Sequence, residues 1–405
     1  MTDQGGRVHW RALGSAVGRK LLPLSSTSLC AQARRRTGLQ DFGSPDLEPA
    51  LSILVNSLEA EAQLHPLGRL LMRIHLRELL ENRLRFNAAW PSDFEGLNRL
   101  PLQRPVFIVG IPRSGSTFLH ELMAEDPANR APRVWEVMFP VSSNQDGNRE
   151  RERKILKTER CLWWFRRLAR KADSVYPMRA GTPHECVAIH SYTLLSEEFV
   201  STCRVPGYEQ FLRTVDRKEA YVWEKRFLQA LQYGSEPKRW VLKSPDHVHS
   251  LGSLFSVFPD AAIIQTHRNP VQVLRSSSEL TRVLQGLYAW PGDMEELVAR
   301  EARMLAEGTQ NFIQFRDDHP ELADRFIDLK YSDLVSDPLA EVARVYRHLG
   351  SALSEEAALR MRRLASERSR YGGNRRHSTR GGVARMSAND EQHFARYCSR
   401  FGLST

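Results

Sequence analysis

Apolar residues between about Leu47 and Ala89 recur at helical spacing: Leu51, Leu54, Val55 and Leu58, then Leu67, Leu70, Leu71, Ile74, Leu79 and Leu80, with a break at Pro66. That period predicts two amphipathic helices packed on the outside of the domain built by the later segments. The pattern changes at Val106-Phe107-Ile108-Val109, a short unbroken apolar run between Pro105 and Gly110, which is how a strand buried on both faces looks. A helical pattern returns from Ser116 (Phe118, Leu119, Leu122, Met123) and stops before Pro127. Trp240-Val241-Leu242 repeats the order, leading through Lys243-Ser244-Pro245 into helical positions Val248, Leu251, Leu254 and Phe255. Ala261 to Gln265 reads as a further buried strand, followed by a helix that opens at Pro270 with Asn269 as its N-cap. Phe326 to Leu329 predicts one more strand, before a helix from about Pro338 to Leu349. Alternation of this kind implies an α/β fold, a mostly parallel sheet flanked by helices. A helical extension (41–104) precedes it, and a helical insertion (134–233) separates the first strand from Trp240.

Length and charge narrow the function. A chain of 405 residues with 41% hydrophobic content can bury one large α/β domain with helical additions. Its 58 Lys and Arg outnumber 48 Asp and Glu, which favours an anionic ligand or surface. Much of the basic charge falls in mixed-charge helical stretches such as Leu359 to Arg370 and Glu295 to Arg303, as on a solvated face, so no nucleic-acid partner is expected. Five scattered cysteines (Cys30, Cys161, Cys186, Cys203, Cys398) without a C-x-x-C pair fit a reducing, cytoplasmic setting and argue against a zinc site or a disulfide framework. No apolar run reaches 18 residues, so no transmembrane segment is expected. The first 36 residues hold one acid, Asp3, among many Arg and Ser, and residues 1–40 are expected to be a basic, disordered tail.

The sharpest chemical signal is Gly110-Ile111-Pro112-Arg113-Ser114-Gly115-Ser116-Thr117, placed between a strand and a helix. It keeps both glycines and the Thr of a Walker A loop, G-x-x-x-x-G-K-[ST], but has Ser116 where the lysine belongs. Backbone N–H groups and the helix dipole still suit a phosphate, and Arg113 supplies a cation from within the loop. The missing lysine disfavours a magnesium nucleoside triphosphate, and with it a P-loop nucleotide kinase. The plainer reading is an ordinary glycine turn.

This P-R-S-G-S-T segment resembles the 5′-phosphosulfate loop of sulfotransferases that use 3′-phosphoadenosine 5′-phosphosulfate (PAPS), in the bacterial-type branch with Arg where the cytosolic branch has Lys. The resemblance implies that Arg113 and the Ser114, Gly115, Ser116 and Thr117 segment hold the 5′-phosphate and the leaving bridge oxygen, with no metal required. His267-Arg268-Asn269-Pro270 through Ser276 looks like the family's 3′-phosphate motif, which assigns that phosphate to Arg268 and Ser276. Val241-Leu242-Lys243-Ser244-Pro245-Asp246-His247 resembles its L-K-S-P-x-H segment, with Lys243 stabilising developing negative charge and His247 either an acceptor-activating base or a packing residue. Thr182-Pro183-His184-Glu185-Cys186 matches a P-x-E-C-like segment of the branch. Glu185 or His184 could take the acceptor proton, with a carboxylate that merely favours a helix start as the alternative. The basic, glycine-bearing stretch Tyr371 to Gly382, with Arg376, stands where the family has a nucleotide-covering loop, although its form there matches loosely.

The likeness covers about Thr37 to Leu403 and implies a sulfotransferase domain over 41–405, with an acceptor pocket in the insertion. The expected reaction moves a sulfuryl group from PAPS to a hydroxyl or amine of an unidentified acceptor, small-molecule, glycan or lipid. A non-catalytic nucleotide- or polyanion-binding protein is the remaining rival, and oligomeric state is left open. Trp163-Trp164-Phe165 could line the acceptor pocket or sit in a core.

Overall fold

In the computed structural model, residues 18, 22–91, 94–141, 147–168, 177–372 and 386–403 are described. The helices that matter below are α1 (Ser26–Thr37), α2 (Glu48–Ala60), α3 (Pro66–Ala89), α4 (Ser116–Ala124), α5 (Gly147–Leu168), α6 (Lys218–Gln232) and α7 (Pro270–Gln285). Five strands, β1 (Val106–Gly110), β2 (Asn129–Arg130), β3 (Arg239–Lys243), β4 (Ala262–His267) and β5 (Phe326–Lys330), form one sheet of order β2-β3-β1-β4-β5. Every pairing in it is parallel, so the fold is α/β as the alternation predicts. β2, only two residues long, is too short to leave a periodic trace in the sequence.

β1 shows why its apolar run is unbroken. Successive side chains of a strand point to opposite faces, and here both faces are covered. Val106 and Ile108 join Val241 and Ile264 against Leu119 and Leu122 of α4 and against Val342 and Val345. Phe107 and Val109 join Leu242 and Ile263 against Leu254, Phe255 and Phe312 on the other side.

A further core lies away from the sheet. Leu51 and Leu54 of α2 and Leu76, Leu84 and Phe86 of α3 pack with Tyr208, Trp223 and Phe227 of the insertion. The two N-terminal helices therefore serve as the apolar floor of the insertion rather than a coating on the sheet. α6 joins the two cores, because Trp223 and Phe227 face this one while Tyr221 and Leu228 face the sheet.

The expected disorder of residues 1–40 does not hold for its second half. Residues 26–37 form α1, opened by the Ser25 side chain, which accepts from the Ser28 N–H (3.3 Å), and closed by Gly38 at φ 72°. Leu29, Cys30 and Ala33 are buried. A narrow apolar face in a basic stretch suffices because α2 and α3 complete the burial, and Arg34, Arg35 and Arg36 suit the negative end of the helix. Residues 1–17 and 19–21 lie outside the described residues.

One buried cation ties these parts together. Arg83 of α3 is fully buried, donating through Nε to Phe42 O (2.8 Å), through Nη1 to Tyr192 O (2.7 Å) and through Nη2 to Gly43 O (3.2 Å) and Pro45 O. Its guanidinium also lies 4.6 Å from the Trp223 ring centroid. Burial, reinforced by the Arg226 charge, pulls its pKa down to about 9, which still leaves it charged at neutral pH. Arg83→Ala strands these carbonyls without donors and empties a packed volume, so unfolding free energy is expected to fall by about 3 kcal/mol or more. Urea denaturation checks this, and a loss below about 1 kcal/mol would show that the clasp is dispensable.

Candidate active site

Parallel pairing brings the ends of β1, β3, β4 and β5 to one edge of the sheet. β1 lies between β3 and β4, so the chain leaves it at the position where crossover direction reverses, the usual place for a crevice in an open α/β sheet. Gly110 stands opposite Thr266 in the register, which makes the two sequence-predicted anion motifs adjacent.

The loop after β1 is tightly wound. A Cβ on Gly110 would collide with Thr266 Oγ1 and stand 2.7 Å from Thr266 O and 2.8 Å from Ser114 Oγ, so this close approach requires glycine. Arg113 (φ 66°) and Gly115 (φ 90°) adopt left-handed backbone, and Gly115 is the N-cap residue of α4. Ser114 is fully buried: its hydroxyl donates to Ile111 O (2.6 Å) and lies 2.7 Å from Thr266 Oγ1, and its N–H reaches Ile111 O (3.3 Å). Ser114 thus shapes the loop from inside. Arg113, Gly115, Ser116 and Thr117 line the cavity.

The second junction locks onto the first. Asn269 caps α7 by accepting from Val271 N–H (2.9 Å), and Pro270 occupies the first turn, as the sequence predicts. Arg268 Nη1 donates to Arg113 O (3.0 Å), and Arg113 Nε donates to Ser276 Oγ (3.2 Å). Arg113, Arg268 and Ser276 therefore meet at one point. The Arg268 guanidinium also lies 4.1 Å from the Tyr331 ring centroid, and its buried Nε has no hydrogen-bond partner among the described residues. Arg275 faces solvent beside Glu279 (3.4 Å). Arg376 lies outside the described residues.

At the end of β3, Lys243 is almost wholly buried and its Nζ is 2.5 Å from Glu185 Oε1. Glu185 is delivered from the insertion: Val134 N–H bonds Thr182 O (3.1 Å) and His184 N–H bonds Pro132 O (2.7 Å), pinning the segment before the short helix Cys186–His190. His184, Glu185 and Lys243 all line the cavity. Burial lowers the His184 pKa, which keeps its ring neutral.

His247 is placed differently. It is fully buried, is not among the residues lining the cavity, and its Nδ1 lies 2.8 Å from Tyr221 Oη, which in turn is 2.9 Å from Ser250 Oγ. Burial lowers its pKa, opposed by Asp246 and Glu224. His120, which the motifs do not mark, sits behind Lys243 with Nε2 3.0 Å from Val241 O; burial and the Lys243 charge bring its pKa to about 3, so it is a neutral Nε2–H donor.

The cavity joining these groups has a volume of about 1860 Å³. Its lining includes the apolar side chains of Val137, Met138, Leu162, Phe165, Leu280 and Leu284. Of the aromatic triplet, Phe165 lines the cavity, whereas Trp163 and Trp164 are exposed, neither core nor lining. Thr266 and Tyr331 carry no motif, yet Thr266 touches Ser114 and Tyr331 lies under the Arg268 guanidinium. Their signal was position alone, at the carboxyl ends of β4 and β5. Among the described residues no group of three or more His, Cys, Asp or Glu could hold a metal.

Residues 105–355 match the model of the sulfotransferase family. The chain belongs to that family. This sulfotransferase is 28% identical, over 318 residues covering 74% of it and 75% of the relative, to the omega-hydroxy-beta-dihydromenaquinone-9 sulfotransferase Stf3 of Mycobacterium bovis. Its fold matches the crystal structure of sulfotransferase STF1 from Mycobacterium tuberculosis (TM-score 0.72, 28% identity, 86% of this chain and 99% of that one). It also matches that of STF9 from Mycobacterium avium (TM-score 0.76, 24% identity, 93% and 97%). The family assignment carries the activity, sulfuryl transfer, and leaves the acceptor unspecified.

Because Gly110 touches Thr266 and Ser114 with no room for a methyl group, Gly110→Ala is expected to cost about 1–3 kcal/mol of stability to this sulfotransferase. Thermal denaturation checks it, and an unchanged melting temperature would mean that the loop relaxes freely.

Proposed function

We propose that the cavity binds PAPS across the two interlocked junctions, with the 5′-phosphosulfate on Gly110 to Thr117 and the 3′-phosphate at Arg268 and Ser276. The interlock of Arg113, Arg268 and Ser276 carries this reading, since it gathers two cations and a hydroxyl at the mouths of two adjacent helices. The donor supplies a sulfuryl group whose sulfur–bridge-oxygen bond breaks as the acceptor oxygen bonds to sulfur. Lys243, at the end of β3, faces the electron pair that collects on the bridge oxygen. Glu185, which shares the cavity with Lys243, takes the acceptor proton. His247 supports this arrangement from behind through Tyr221 and does not meet the acceptor.

The acceptor we infer is a hydroxyl on a largely apolar molecule. The apolar side chains in the lining support this, as does the relative named for a hydroxylated menaquinone. Free thiols at Cys30, Cys161, Cys186, Cys203 and Cys398 support a cytoplasmic location. No helix among the described residues is long and apolar enough to cross a membrane.

Arg113→Ala and Arg268→Ala are each expected to weaken adenosine 3′,5′-bisphosphate binding by about 1.5–3 kcal/mol, as for a charged hydrogen bond. Calorimetry on both variants checks this; unchanged affinity refutes the assignment of that arginine. Glu185→Gln is expected to lower turnover of labelled donor by roughly 100-fold or more with nucleotide affinity retained. His247→Asn should cost stability and less than about tenfold in turnover. The reverse outcome would make His247 the base.

A further inference from the structure

One side of α5 faces the cavity, through Leu162 and Phe165 together with Lys154 and Lys157. The other side is exposed among the described residues. With about 100° of turn per residue, Leu156, Trp163 and Trp164 share that outer side with Arg149, Arg160 and Arg167, and all are exposed. Glu152 and, one heptad on, the partly buried Glu159 lie at its edge, the latter paired with Arg166 (3.3 Å). Leu156 is 65% exposed, Trp163 45% and Trp164 61%, so three large apolar side chains on one helix face stand in water.

Their company decides what they are for. Trp163 and Trp164 pack edge to face, with ring centroids 4.8 Å apart, and the Arg167 guanidinium lies 5.0 Å from the Trp163 ring. α5 carries eight Lys and Arg against three Glu. Indole rings, amphipathic in themselves, settle at the boundary between hydrocarbon and headgroups, while arginines on the same face extend to anions at that level. A stable protein interface would bury roughly 20–30 residues a side. A single helix face offering three apolar side chains among three arginines fits a fluid array of anions better.

We propose that this face of α5 seats the enzyme on an anionic lipid bilayer, with Leu156, Trp163 and Trp164 in the headgroup layer and the arginines meeting lipid phosphates. Because the opposite side of the same helix lines the cavity, seating brings the cavity wall to the membrane surface. An apolar acceptor held in the bilayer then reaches the site without crossing bulk water. The surface itself does not depend on the donor assignment or on the apolar-acceptor reading.

The test floats the full chain with vesicles of dioleoylphosphatidylcholine alone and with vesicles containing about one third phosphatidylglycerol. Binding to the anionic vesicles is expected to be at least about tenfold tighter, and salt should weaken it. The double variant Trp163→Ser, Trp164→Ser should lose about tenfold or more of that affinity. Its affinity for adenosine 3′,5′-bisphosphate should be unchanged, which shows that the fold is intact. Lipids brominated near the headgroup should quench the tryptophan fluorescence of the parent chain more than that of the variant. Equal binding to both vesicle types, or parent-like binding by the double variant, overturns the proposal. So does a dimer in sedimentation velocity that dissociates in the double variant without any vesicle binding, which would assign the face to a second copy. Failure of adenosine bisphosphate binding in the parent chain, with vesicle binding intact, would sink the donor reading and leave this surface standing.

Discussion

Hydrogen bonding on both edges of β1 is the constraint from which the site follows. Once β1 is paired with β3 on one side and β4 on the other, Gly110 must stand opposite Thr266, and Lys243 must end on the same edge. Slipping either pairing by one residue would turn every buried side chain of the strand to the opposite face. The two apolar layers on either side of the sheet therefore hold the candidate-site edge in register. Backbone geometry then does the fine work: a glycine too close to its neighbour for any side chain, a left-handed Arg113, and a buried Ser114 that stitches the loop to β4.

Sequence reasoning reached those features because their causes are local. A strand buried on both faces reads as an apolar run, a glycine turn has fixed spacing, and Pro270 after Asn269 announces a helix start within two residues. The strands at Val106, Trp240, Ala262 and Phe326 were legible for this reason. What escaped was set by distant partners. α1 contributes only three buried side chains, and its ordering depends on α2 and α3, so its own composition resembles a solvated tail. Tyr331 beneath Arg268 acquires meaning only from where β5 ends.

The histidines show the same limit more sharply. His247 lies four residues beyond Lys243, a spacing compatible with a shared site, but the short 3₁₀ turn Pro245–His249 aims it into the interior toward Tyr221. His120 has no motif at all, yet it lies close enough to Lys243 for that charge to help hold it neutral. Glu185 arrives from the insertion through backbone bonds to Pro132 and Val134, a route that no periodicity records. Side-chain identity could nominate these residues; only tertiary packing determines which of them faces the cavity.

The buried guanidinium of Arg83 has a consequence for how the molecule could be cut. It binds carbonyls before α2 and in the insertion while resting on a tryptophan of α6, and the apolar floor beneath it draws on the same three parts of the chain. The match to the family model begins only at residue 105. Excised there, the chain would lose the cation and the leucines beneath it, exposing Trp223 and Phe227. Cooperative unfolding is therefore expected to draw in the N-terminal helices together with the sheet domain.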